Sequence, residues 1–241
     1  MKWVSCEPQI LGNLMQPSLN VDQRTRPTAK PARNPTADKL ILAASELMIE
    51  RHSIEFSLSD LAQRSGVNSA LVKYHFGNKE GLLLALAENV SAVQIENLEY
   101  LMRQPITPAA KLKLHVGGII NAYYRYPYIN RLLHFLLHES SPQAASAVSK
   151  FFVKPLFDFQ NRLLAEGIAA GEFRKVDPVL FYTSLIGACD QLFYGRHVMT
   201  RAVGVGEVTD EVRRQYIDHM TALICDGLVT PVGTKAPKLV K

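Results

Sequence analysis

Residues 59–83 read SDLAQRSGVNSALVKYHFGNKEGLL. Two short helical patterns flank Gly66, and the second runs into a polar, basic and aromatic tract. Ser57 or Ser59 can cap the first helix, which turns Leu61 and Ala62 inward and ends at Gly66; Asn68 caps the second, which Gly77 ends. Two short helices joined by a glycine turn make the helix-turn-helix unit, whose second helix is presented to the DNA major groove. Gly66 can supply the positive φ of that turn at little steric cost. Val72 and Phe76, four residues apart, share a face that can pack against Leu61, Ala62 and Val67. The opposite face then carries Ala70, Lys73 and Tyr74, flanked by Leu71, and is small, basic and aromatic, as contact with phosphates and base edges requires. Helical hairpins with a central Gly also occur in domains that never touch DNA, so spacing alone leaves the function open.

Outward from this stretch the chain reads as helix throughout. On the N-terminal side, Thr36 can cap a helix with Leu40, Ile41, Ala44, Leu47 and Met48 in an amphipathic stripe. On the C-terminal side, Asn78 caps a long helix, KEGLLLALAENVSAVQIENLEYLM, and Thr107 with Pro108 starts another that Pro127 terminates. YINRLLHFLLHES follows, then a segment from about residue 142 to 170 in which Pro155 predicts a kink or break. Asp177 with Pro178, and Thr209 with Asp210 and Glu211, open the last two helices. No stretch alternates with period two, so the expectation is an all-α fold of about nine helices.

The 241 residues allow one or two domains with a sizeable core. A net charge of +5 favours an anionic partner without choosing among nucleic acid, membrane surface and acidic ligand. Cys6, Cys189 and Cys225 stand far apart with no companion ligands, which offers no zinc site or disulfide framework and suits a reducing cytoplasm. No signal peptide or membrane-spanning run is legible. Residues 1–34 lack periodicity, end in a tract where prolines alternate with Arg24, Arg26, Lys30 and Arg33, and read as a flexible basic arm, either a solubilising extension or a contact to phosphates or the minor groove.

The run Thr36 to about Leu86, with ILAASELM, LSDLAQRSGV and above all YHFGNKEGLL, resembles the N-terminal domain of the TetR family of bacterial transcriptional regulators. GIAAGEFRKVDP is similar to a phrase such proteins often carry before their penultimate helix. The resemblance implies a DNA-binding domain at 35–82, an effector-binding and dimerisation domain at 83–230, and a basic tail at 231–241. It also implies roles for single residues: Asn68, Ser69, Ala70 and Leu71 toward the bases, Tyr74 and His75 toward base edges or backbone, Lys79 on a phosphate, and Ser59 and Thr36 on the backbone. Lys73 stands where the family commonly has an aromatic residue, and can meet a phosphate as a point charge. The operator sequence therefore cannot be copied from a relative.

In such regulators the last two helices form a four-helix bundle with a second subunit, here through Leu185, Leu192, Ile217, Met220, Leu223 and Ile224. The two helices would run from about Pro178 to Thr200 and from Thr209 to Leu228. A two-fold operator needs such a dimer. The aromatic middle of the chain supplies Tyr123, Tyr124, His134, Phe135, His138 and Phe152, with Cys189 and Phe193 further on, as walls of a small-molecule pocket or equally of a packed core. His134 and His138, four apart beside Glu139, keep open a metal or hydrolytic centre, although no third ligand lies at a telling distance. A basic interaction module remains the other alternative. The expectation is a cytoplasmic, homodimeric repressor that binds double-stranded DNA, is relieved by a small ligand, and uses no cofactor, catalytic group or membrane.

Overall fold

The computed structural model describes residues 34–204 and 206–229; the expected basic arm and tail therefore lie, apart from Asn34, outside the described residues. Ten helices and no strand are found among the described residues, the isolated bridge Phe173–Val229 being their single β-type pairing. They are α1 Pro35–Arg51, α2 Leu58–Ser65, α3 Ala70–Phe76, α4 Lys79–Met102, α5 Pro108–Arg125, α6 129–139, α7 142–169, α8 Pro178–Tyr194, α9 Arg196–Val203 and α10 Asp210–Leu228.

Local side chains account for most of the boundaries. Asn34, rather than Thr36, caps α1, its side chain accepting from the Thr36 N–H at 2.9 Å with Pro35 already in the first turn. Ser57 and Asp60 close α2 with a reciprocal capping box. Asn78, Thr107, Ser141, Asp177 and Thr209 each accept a backbone N–H at the start of α4, α5, α7, α8 and α10. Pro155 does not break α7. The helix widens into a π segment at Ser149–Val153, just ahead of the proline, and resumes as Lys154–Ala169. The stretch expected as one helix from Pro178 to Thr200 is two, because Gly195, a poor helix former, separates α8 from α9.

Helices α1–α3 and the first turns of α4 enclose Leu40, Ala44, Met48, Leu61, Val72, Leu82 and Leu86, each essentially inaccessible to solvent. The remaining core lies where α5 packs against α10, α8 and α7, and where α4 packs against α7. In GIAAGEF, a Cβ added to Gly167 would sit 2.0 Å from the Phe173 ring, so only glycine lets Phe173 close over α7. No helix among the described residues is long and apolar enough to cross a membrane.

Candidate nucleic-acid interface

Helix α3 has seven residues and one buried anchor, Val72, with Phe76 and Leu71 half-buried against the same core. Gly66, at φ 66°, turns the chain sharply between α2 and α3. Asn68 Oδ1 accepts from Ala70 N at 2.9 Å, and Leu71 N and Val72 N bond back to the carbonyls of Asn68 and Ser69, winding the first turn tightly. The helix thus begins two residues later than its expected cap. Outward it presents Asn68, Ala70, Lys73 and Tyr74, with Tyr74 79% exposed and Ser69 and His75 partly covered. Tyr74 meets His75 edge-on at 4.9 Å between ring centroids. Ser59 is exposed on α2, and Thr36 is half-buried near the start of α1.

Lys79 is tied inward. Its Nζ donates to the Phe56 carbonyl at 2.6 Å and sits 4.4 Å from the centre of the Phe56 ring, a cation–π contact that pins the α1–α2 loop to the start of α4. Burial lowers its pKa, opposed by the charges of Glu55 and Asp60. Arg51 donates to Asp60 at 2.8 Å and Arg64 pairs with Glu50, so ion pairs brace α2 against α1. The Arg51 and Ser57 hydrogen bonds hold the Asp60 carboxyl well below the usual carboxylate range. These contacts join α1, α2 and the start of α4 into one head and leave Lys73 and Tyr74 exposed on α3.

Sequence reasoning missed the seam between this head and the rest of the chain. Ser45 Oγ and Tyr128 Oη are 2.7 Å apart, Arg131 donates to the His52 carbonyl at 3.3 Å, and Ser141 Oγ donates to Glu80 at 2.6 Å. No residue-type pattern announces contacts between positions so far apart in sequence.

The expected pocket residues separate. Tyr123, Cys189 and Phe193 are buried between α5 and α8, with the Tyr123 and Phe193 rings 5.8 Å apart, and burial pushes the Cys189 thiol up to about 12. Phe135 and Phe152 are half-buried, whereas Tyr124, His134 and His138 reach the surface. The two histidine rings lie 5.8 Å apart, and among the described residues no group of three or more His, Cys, Asp or Glu could hold a metal ion. Asp190 faces this side of the molecule; burial raises its pKa, opposed by His134. Of the expected interface residues, Leu185, Ile217 and Met220 belong to the protomer's own core, Leu192 and Ile224 are half-buried, and Leu223 is 58% exposed.

Two family models match the chain. Residues 40–86 match the bacterial regulatory proteins of the tetR family, and residues 105–234 match the tetracyclin repressor-like C-terminal domain. The chain is 23% identical to the HTH-type transcriptional regulator RutR of Escherichia coli K12 over 174 residues, which is 71% of this chain and 80% of that one. It shares its fold with the transcriptional regulator FadR from Bacillus subtilis in complex with stearoyl-CoA, at TM-score 0.57 and 20% identity, over 77% of this chain and 97% of that one. The same holds for AibR in complex with isovaleryl coenzyme A and operator DNA, at TM-score 0.60 and 19% identity, over 78% and 97% of the two chains.

Proposed function

The chain belongs to the TetR family of bacterial regulatory proteins, and from that premise we propose that it is a cytoplasmic, homodimeric repressor whose grip on a two-fold operator is relieved by a small molecule. The observation that carries the reading is α3 itself: a seven-residue helix seated on Val72, with Lys73 and Tyr74 projecting from a braced head. Such a face suits a reader of the major groove, with Asn68, Ser69, Ala70 and Leu71 at the end that enters first and Tyr74 and His75 beside base edges or backbone. Lys73 supplies a phosphate contact. Lys79 adds charge at the rim while holding Phe56, and Ser59 and Thr36 lie where backbone contacts would flank the groove. The chain carries these roles as a binding protein, with no catalytic group, cofactor or membrane contact assigned. The proposed division runs through α4, with residues 35–82 as the head and 83–230 as the body.

One short helix reads only a few base pairs, so operator specificity calls for a pair of heads. The outward stripe of α8 supports pairing: Leu180, Thr183, Gly187 and Tyr194 are all exposed and fall at intervals of three, four and seven. Exposed Leu223 on α10, with half-buried Leu192 and Ile224, extends it. The proposed interface thus turns away from Leu185, Ile217 and Met220. An acyl-coenzyme A accompanies the FadR and AibR neighbours, which supports a small-molecule effector for the body. The ligand relieves repression by binding better to the arrangement whose two heads are wrongly spaced for successive major grooves.

Selection of duplexes from a random DNA pool tests the reading. Wild type is expected to enrich a two-fold-symmetric motif that Tyr74→Ala loses, and Lys73→Ala to flatten the salt dependence of binding by about one unit of slope. Enrichment of no motif by the wild type would overturn it.

A further inference from the structure

Helices α4, α5 and α7 pack against one another and bury, besides the ion-paired Lys111, the uncharged polar side chains Ser91, His115 and Gln160, exposed by 1%, 2% and 1%. Gln160 Nε2 lies 3.0 Å from His115 Nε2. Ser91 Oγ, His115 Nδ1 and Gln160 Oε1 have no hydrogen-bonding partner in the protein. Buried polar atoms are as a rule satisfied, because a dry one gives up its hydration for nothing in return.

The chemistry left over does not depend on which nitrogen donates. If the Gln160 amide donates to the ring, His115 Nδ1–H is a spare donor and the amide oxygen a spare acceptor. If ring and amide exchange roles, the spare acceptor is on the ring and the spare donor on the amide. The Ser91 hydroxyl can do either. The surroundings are apolar, with the His115 ring 4.8 Å from that of Phe159 and Leu112, Val116 and Leu163 fully buried nearby in sequence. Lys111, one turn before His115, is already matched by Glu166 at 2.8 Å and the Met102 carbonyl at 2.9 Å. Burial brings the His115 pKa down to about 3, so the imidazole is neutral at any physiological pH.

We propose that Ser91, His115 and Gln160 are the polar anchor of the effector site, and that they select an uncharged head group that both donates and accepts hydrogen bonds, an amide or a hydroxyl, on an apolar body. The inference rests on the effector-relieved repressor proposed above and adds the place and the ligand class. A carboxylate or ammonium group would enter this site with no opposite charge to meet it. Ser91 lies midway along α4, the helix whose first turn ties Lys79 to the Phe56 carbonyl in the head and Glu80 to Ser141 at the start of α7.

The test uses four eight-carbon probes, octanamide, 1-octanol, octanoate and octylamine, on the full-length protein and on variants H115L/Q160M and Ser91→Ala. Thermal melting and the imidazole ¹⁵N shifts of His115 are the readouts, with operator binding measured without probe as a separate arm. The two neutral probes are expected to raise the wild-type melting temperature and move the His115 resonances, while the two ionic probes do neither. H115L/Q160M removes the spare donor and acceptor, so it is expected to melt above wild type, keep operator binding and lose the probe response; Ser91→Ala is expected to keep the wild-type melting temperature with a weakened response. A double variant that melts below wild type marks the pair as a structural element, and the proposal falls. It falls equally if the variant still responds, if ionic probes act as well as neutral ones, or if neither neutral probe acts. Loss of operator binding by wild type itself would strike the regulator reading instead.

Discussion

The head and the body of this molecule differ in where their polar groups sit: the capping side chains of the head are paired at or near the surface, whereas the body, besides its own caps, buries polar atoms that have no partner among the described residues. In the head, Asn34, Ser57, Asp60, Asn68 and Asn78 each satisfy a backbone donor within a few residues, and Lys79 finds the Phe56 carbonyl. The buried side-chain atoms without partners, Ser91 Oγ, His115 Nδ1 and Gln160 Oε1 among them, all lie at residue 91 or beyond. A reader of DNA has one shape to keep, so its interior is closed and its polarity is turned outward. On the effector reading proposed above, the body keeps hydrogen-bonding capacity inside, at the expense of stability.

The largest way to break the contrast is Leu61→Ala. This side chain of α2 is fully buried in the head's core, and its truncation is expected to destabilise the head by about 2–5 kcal/mol. Hydrogen exchange should then show loss of protection in α1–α3 ahead of α5 and α10. The body should reveal itself through pH. His115 stays neutral in the folded chain down to about pH 3, whereas its unfolded counterpart takes up a proton near 6.5, so the contribution is full above about 6.5 and declines as pH falls toward 3. Against a His115→Leu variant, wild type is expected to lose on the order of 3 kcal/mol more between pH 7 and pH 4, read from urea melts at each pH. Parallel profiles would place the imidazole in contact with water. Ser57→Ala removes one arm of the α2 capping box and should cost about 1 kcal/mol, visible as a lower denaturation midpoint at unchanged slope. The smallest effect sharpens the contrast most: Tyr74→Ala is expected to change stability by less than about 0.5 kcal/mol, because the ring stands in solvent, while abolishing operator selection.

The head was almost fully legible in the sequence, because its determinants are local. The outward turn of Lys73 and Tyr74 follows from Val72 and Phe76 by helical geometry alone, and Gly66 marks its own turn. Two of the three orphaned residues were also legible there. Gln160 falls in phase with Leu156, Phe159, Leu163 and Leu164, and His115 with Leu112, Val116 and Ile120, so each is a polar residue on a buried stripe. The seam was not legible, since contacts such as Ser45 with Tyr128 depend on how helices cross. The expected interface and pocket residues mixed core with surface for the same reason: a helix that is apolar most of the way round does not disclose which side meets its own chain.

Helix α4 has a consequence in plain mechanics. Its 24 residues form one unbroken rod, about 36 Å long at 1.5 Å per residue. A tilt of roughly 5° about the Met102 end would swing the Lys79 end by about 3 Å, close to the ~3.4 Å spacing of successive base pairs. In the proposed two-fold pair the second rod makes the rotation-related movement, and the separation of the two edges changes by up to about twice that amount. A small tilt of α4 is thereby multiplied, at the tip, into a displacement on the scale of base-pair steps.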